Sequence, residues 1–204
     1  FSVTIYGATG SVLSDIQHPS KHTKKNHPMQ VEYVDLANTK WGTIESTTAY
    51  LWADAPSRAR MALASGDTII GTVRPGNGSF SFVSKEGLTG STGFAVLRPK
   101  ASREAALIYL AATDPATIEA LANLADGGAY PAVRPDVVVA QECVLAPEDV
   151  LQAFSAEASP LIARIEAGKN ENQTLAALRD ALLPRLMSGE LRVGEAKEQV
   201  EAVA

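Results

Sequence analysis

The stretch SGDTIIGTVRPGNGSFSFVSKEGLTGSTGFAVLRPK, Ser65 to Lys100, decides how the chain is read. It contains three runs, DTIIGTVRP, GSFSFVS and STGFAVLRP, rich in β-branched and aromatic residues and cornered by glycine. Such runs bounded by Gly, Pro and Asn predict short strands. In GSFSFVS, Phe80 and Phe82 fall on one face and Ser79 and Ser81 on the other, which predicts a half-buried strand. PGNG, Pro75 to Gly78, predicts the turn, because proline fixes one φ and glycine admits positive φ. Thr72 and Arg74 alternate onto one face of the strand, and Asn77 occupies the turn. The stretch carries no nucleophile, base or metal-ligand set, so a rigid hairpin with a basic tip needs another use.

Working outward, QVEYVDL alternates at period two, with Val31, Tyr33 and Asp35 facing one way. Downstream, ASREAALIYLAAT and DPATIEALANLA predict two helices. Ser102 with Glu104 starts the first, and Asp114 with Pro115 starts the second. GGAYPAVRPDVVVA predicts a loop leading into one more strand. The elements do not alternate strictly, so the predicted fold class is α+β: a mixed β-rich domain followed by a long C-terminal α-helix.

That helix begins after Pro147. Apolar residues recur at a 3,4 spacing through Leu151, Phe154, Ala158, Leu161, Ile165, Leu175, Leu182 and Leu186, with Leu178 beside the seam and Asn172 within it. This is a coiled-coil-like pattern. Pro160 predicts a start or a kink, and Ser188 with Gly189 a stop. From Pro160 to Ser188 the helix spans about 43 Å at about 1.5 Å per residue, which outruns a compact domain and asks for a partner. A buried Asn172 would cost stability and fix register. The alternative is a helix that breaks or turns outward around GKNENQ and leaves Asn172 in water.

Composition narrows the functional classes. One cysteine, Cys143, rules out an internal disulfide and a cysteine-based zinc site. No apolar run approaches the roughly 18 residues of a membrane span, and no signal peptide is visible, so the expected compartment is the cytoplasm. Net charge is −5, unevenly spread: residues 1–100 hold ten Lys/Arg against seven Asp/Glu, and residues 101–204 hold eight against sixteen. The first half is therefore mildly basic and the second strongly acidic, a distribution suited to presenting one face to an anion. HPSKHTKKNHP, residues 18–28, adds Lys21, Lys24 and Lys25 in a loop able to clamp a phosphate backbone. Its histidines, His18, His22 and His27, have no cysteine or carboxylate nearby in sequence, so no metal site is expected.

Catalytic signatures are absent. GATG is followed by no GK[ST], GNGSF by no GxGxxG continuation, and GLTGSTG is not a nucleophile elbow. The expectation is a chain without covalent chemistry and without cofactor.

Two motifs together carry a resemblance. GDTIIGTVRPGNGSFSFV followed by STGFAVLRPK resembles a target recognition domain of a type I restriction–modification specificity subunit. NENQTLAALRDALLPRLMSGELRV resembles the helical region that ends such subunits, and the resemblance covers about residues 30–193. It implies residues 1–146 as a DNA-reading domain, 147–193 as a spacer and dimerisation helix, and 194–204 as a tail. Full subunits carry two such domains, each reading half of a bipartite double-stranded DNA target, and two long helices that dock methyltransferase subunits. This chain holds half of that plan, as a half-sized subunit or a fragment of a larger one. The resemblance therefore implies a homodimer through the helix, a methyltransferase (modification) subunit as partner and a restriction subunit as a further one. Implied DNA contacts are Lys21, Lys24, Lys25, Thr72, Arg74, Asn77 and Ser79. Implied interface residues are Leu161, Ile165, Asn172, Leu175, Leu178, Leu182 and Leu186. The rival reading is a coiled-coil adaptor whose β-rich domain binds protein.

Overall fold

The computed structural model describes residues 9–10, 20–141, 143–144 and 146–201; His18 lies outside them. In chain order these form β1 (Thr9–Gly10), β2 (Gln30–Val34), β3 (Thr39–Lys40), β4 (Thr43–Ile44), β5 (Thr48–Leu51), β6 (Ala59–Ala62), β7 (Thr68–Gly71) and β8 (Phe80–Phe82). There follow β9 (Leu88–Ser91), β10 (Phe94–Leu97), α1 (Ala105–Ala112), α2 (Pro115–Asn123), α3 (Pro135–Val139), β11 (Cys143–Val144), α4 (Glu148–Met187) and α5 (Val193–Glu201). The chain divides into two compact units, residues 1–162 and 163–204.

The first unit is layered around β7. Strands β10-β7-β8 form an antiparallel sheet, and β5-β2-β9-β6 form a second, mixed sheet in which β2 and β9 run parallel. Successive β7 side chains point to opposite faces. Ile69 enters a cluster with Val34, Met61, Leu88 and Phe94, which joins the two sheets. Ile70 enters another with Phe80, Leu97, Ile108, Ile118 and Leu121, which joins the sheet to α1 and α2. Each fully buried Ile or Leu contributes about 1.5–3 kcal/mol.

Covering both faces overturns one expectation: β8 is not half-buried. Ser81 is 1% exposed, and its hydroxyl donates to the Gly42 carbonyl at 2.9 Å, beside the β3–β4 hairpin that covers this side. One end of β7 is locked by charge. Asp67, completely buried, accepts Arg98 Nε at 2.8 Å and Arg98 Nη2 at 2.7 Å, and also takes the Ala64 amide at 2.9 Å. That bidentate geometry with a third donor satisfies a carboxylate that burial would otherwise penalise.

Helix starts show which local signals survived packing. Asp114 accepts the Ala116 amide at 2.9 Å with Pro115 behind it, as its sequence predicts. Ser102 is not the cap of its turn; the Glu104 carboxylate instead receives the Lys100 and Ala101 amides. PDVVV is the helix α3 rather than part of the expected loop, because Pro135 and Asp136 suit a first helical turn and Val138 is buried in the cluster under α1. The strand beyond it is the two-residue β11, paired with β1.

The long helix starts twelve residues before Pro160 and passes through it. The proline removes one backbone donor, but Ala158 and Ile162 on either side are buried with Ala106 of α1, and this packing holds the helix in place. The seam is divided accordingly. Leu151, Ala158 and Ile162 face the body of their own unit, whereas Leu161 is 65% exposed. In the second unit the helix continues unbroken through GKNENQ, so no break occurs there, but Asn172 lies in solvent, as the alternative had it. Ile165, Asn172 and Leu175 are exposed, and Leu178, Leu182 and Leu186 are half-buried. Gly189, at φ 74°, ends the helix, and α5 occupies most of the segment expected to be a tail.

Candidate nucleic-acid interface

The end of β7 opposite the Asp67–Arg98 lock runs out into an exposed rim. Beyond Gly71 the chain carries Thr72 inward and Arg74 outward. Thr72 is buried, and its hydroxyl donates to Gly93 O at 2.8 Å, so the expectation that Thr72 and Arg74 share one presented face is corrected. Thr72 closes the sheet because β7 ends before it and the backbone turns.

Arg74 makes that turn in the left-handed region, at φ 48° and ψ 59°. A side chain there costs about 1–2 kcal/mol, and three contacts hold it. Its amide donates to Pro131 O at 2.7 Å, its Nη2 donates to Ala129 O at 2.7 Å, and its guanidinium lies 4.9 Å from the centre of the Tyr130 ring. Pro75–Asn77 then form one tight helical turn closed by Gly78 at φ 72°. Asn77 is exposed, with no side-chain bond among the described residues. Ser79 is half-buried and donates to Leu36 O at 3.3 Å.

The β3–β4 turn completes the rim. Trp41 is also left-handed, at φ 46°, and its amide donates to Gly78 O at 2.6 Å. Its ring meets Phe80 edge-on at 5.8 Å and lies flat on Gly78, where a Cβ would sit 2.6 Å from the ring. Gly78 is therefore required twice, by its φ and by the indole. Trp41 remains 67% exposed. Trp41 and Arg74 are the two non-glycine residues of positive φ among the described residues, and both stand on this rim. Strained backbone of this kind concentrates at functional sites.

Between the two turns lies an open groove of about 270 Å³, lined by Leu36, Lys40, Arg74, Asn77, Ser79 and Tyr130 among others. It contains two cations and no carboxylate. Arginine and lysine can meet phosphate or the guanine edge, a free asparagine amide suits adenine, and exposed rings pack on sugar or on the thymine methyl. Of the residues the sequence nominated for this tip, Arg74, Asn77 and Ser79 come together here. Lys40, Trp41 and Tyr130 were missed, since they arrive from turns distant in sequence; the KWG triplet at Lys40–Gly42 was the available signal.

Lys21, Lys24 and Lys25 lie elsewhere, on the exposed 20–28 segment tied to β6: His22 N donates to Arg60 O at 2.7 Å and Ala62 N to Ser20 O at 2.9 Å. No group of three or more His, Cys, Asp and Glu residues among the described residues could hold a metal ion. No single helix among them is long and apolar enough to cross a membrane.

Fold and rim together define a layered α+β domain that presents loops from one sheet end and leads into a long helix. No protein-family model matches the chain. It is 28% identical over 153 residues to the type I restriction enzyme HindI specificity subunit of Haemophilus influenzae, covering 72% of this chain and 33% of that protein. The HsdS subunit structure from Thermoanaerobacter tengcongensis superposes with a TM-score of 0.61 at 26% identity, covering 92% of this chain and 49% of that one. A chain from a structure describing complex assembly and conformational transition of the type I R-M system gives 0.60 at 25% identity, over 90% and 49%. The chain is thus similar, over most of its own length, to specificity subunits of type I restriction–modification systems. It spans about one third of the curated relative and about half of the solved chains.

Proposed function

We propose that this chain reads one half of a bipartite double-stranded DNA target for a type I restriction–modification enzyme and performs no chemistry itself. The observation that carries the reading is the carboxylate-free groove lined by Lys40, the left-handed Arg74 and Asn77, on a domain whose fold is that of specificity subunits. A loop held against its own backbone preference, with its arginine already stacked and bonded, gives up little further entropy on meeting a base pair. Residues 1–146 act as the reader, and 147–193 form the helical region that docks methyltransferase subunits and, through them, a restriction subunit. The exposed Leu161, Ile165 and Leu175, with Asn172 among them, support a helical partner, and a second copy of the chain fits that role by an isologous contact.

The test is selection from a random duplex pool by this chain mixed with its modification subunit. Recovery of a defined half-site that Arg74→Ala relaxes at one base pair supports the reading. Salt-sensitive binding with no enriched sequence refutes it and favours a protein-binding adaptor.

A further inference from the structure

Trp52 lies at the centre of a second positively charged surface. His27 stacks on its ring, with centroids 4.4 Å apart and planes at 8°. The Arg60 guanidinium lies 4.5 Å from its centroid, and His22 approaches edge-on at 5.9 Å. His22 Nε2 is 3.3 Å from Thr89 Oγ1 of β9. From this stack the chain turns through Thr23 and Asn26, whose backbones bond each other at 2.9 and 3.2 Å, and carries Lys24 and Lys25 into solvent. Lys21 bridges to Met61 on the edge of β6, with its side chain exposed.

Charge makes this surface unusual. Lys21, Lys24, Lys25 and Arg60 form no ion pair among the described residues. The charged or titratable groups facing His22 are His27, from its own loop, and Arg60, from β6; both oppose a positive charge, and the neighbouring Thr89 and Trp52 are neutral. Burial first, then these two groups, hold the His22 pKa below its ordinary 6.5. The free protein thus gathers Arg60 and the two imidazoles around one ring, with Arg60 and the nearby lysines in no ion pair among the described residues. A polyanion would supply the counter-charge.

We propose that the Trp52-centred surface is a second, sequence-independent contact for the phosphate backbone of duplex DNA, and that binding there takes up a proton on His22. This rests on the DNA-reading role argued above, but it uses none of the groove residues. The aromatic ring positions the imidazoles and the guanidinium, while the lysines add counterion-releasing contacts. Because the complex holds this proton more tightly than the free chain, affinity rises as pH falls.

The measurement is duplex affinity of the full chain with its modification subunit, using a random-sequence duplex, from about pH 7.5 to about pH 5.5, across the ordinary histidine range. Affinity is expected to rise at least about threefold, with a limit of about tenfold per pH unit for each proton taken up. The His22→Gln variant is expected to flatten that rise. Lys24→Ala with Lys25→Ala, both fully solvent-facing positions, is expected to lower the salt slope by about 1–2. A pH dependence that survives in the histidine variant, or a salt slope unchanged in the lysine variant, overturns the proposal. If the pool still yields a defined half-site in either case, the reading role stands without it; if no duplex binds at any pH, both fall.

Discussion

The two ends of β7 use the same residue type for opposite purposes. At one end Arg98 is spent on Asp67, bidentate, with the carboxylate fully buried. At the other, Arg74 sits in a costly backbone conformation, braced by Ala129 O and Tyr130 and facing solvent. An arginine with a buried acid partner is a fold element. One braced by a neutral carbonyl and a ring keeps its charge available to a ligand.

Breaking the lock gives the largest expected effect of a single substitution. Asp67→Ala leaves the Arg98 guanidinium and the Ala64 amide without their acceptor and is expected to cost about 3–5 kcal/mol, read from urea unfolding. Leu182→Ala with Leu186→Ala comes next. If a partner helix buries them, association weakens by about 2–5 kcal/mol per residue, read by sedimentation and by binding of the modification subunit. Unchanged assembly would remove the helix interface from the proposal. At the other end of β7, Arg74→Ala is expected to leave unfolding within about 1 kcal/mol, since it relieves left-handed strain only in part while losing exposed contacts. The same change is expected to cost about 1–3 kcal/mol in DNA binding. A loss confined to one base pair marks a base contact, and a uniform loss marks a phosphate contact. If instead Arg74→Ala unfolds the protein as Asp67→Ala does, the contrast between the two ends collapses.

The smallest effect is one of pH. His22 has a folded-state pKa below 6.5, so the unfolded chain takes up its proton first on acidification. Stability is therefore complete above about pH 6.5, declines as pH falls toward the folded value, and levels off below it. Thermal unfolding of His22→Gln is expected to lack that part of the decline.

Much of the fold was legible because local pattern and packing agreed. Strands β7, β8 and β10, the Asp114 cap and the long helix all follow from spacing and residue type, whereas β9, Leu88–Ser91, was not among the three expected strands. The misreadings share a cause. Ser81 alternates like a solvent-facing serine, and Thr72 like a partner of Arg74; both are buried because the β3–β4 hairpin or the chain near Gly93 covers them. PDVVV was expected in a loop, yet Pro135 and Asp136 open a helical turn whose Val138 fills the core. The sequence alone also could not divide the apolar seam of α4, because which side meets α1 depends on where α1 lies.

By itself, then, the sequence determined the α+β class, the β-rich domain followed by a long helix, the basic tip at Arg74 and Asn77, and the likeness to specificity subunits. These are properties of neighbours along the chain, where periodicity and turn chemistry act over a few residues. Only the tertiary structure decided that Lys40, Trp41, Arg74 and Tyr130 form one rim and that His22, His27, Trp52 and Arg60 form one stack. Both assemblies depend on hydrogen bonds and ring contacts between segments far apart in sequence, which form only once the sheets have packed.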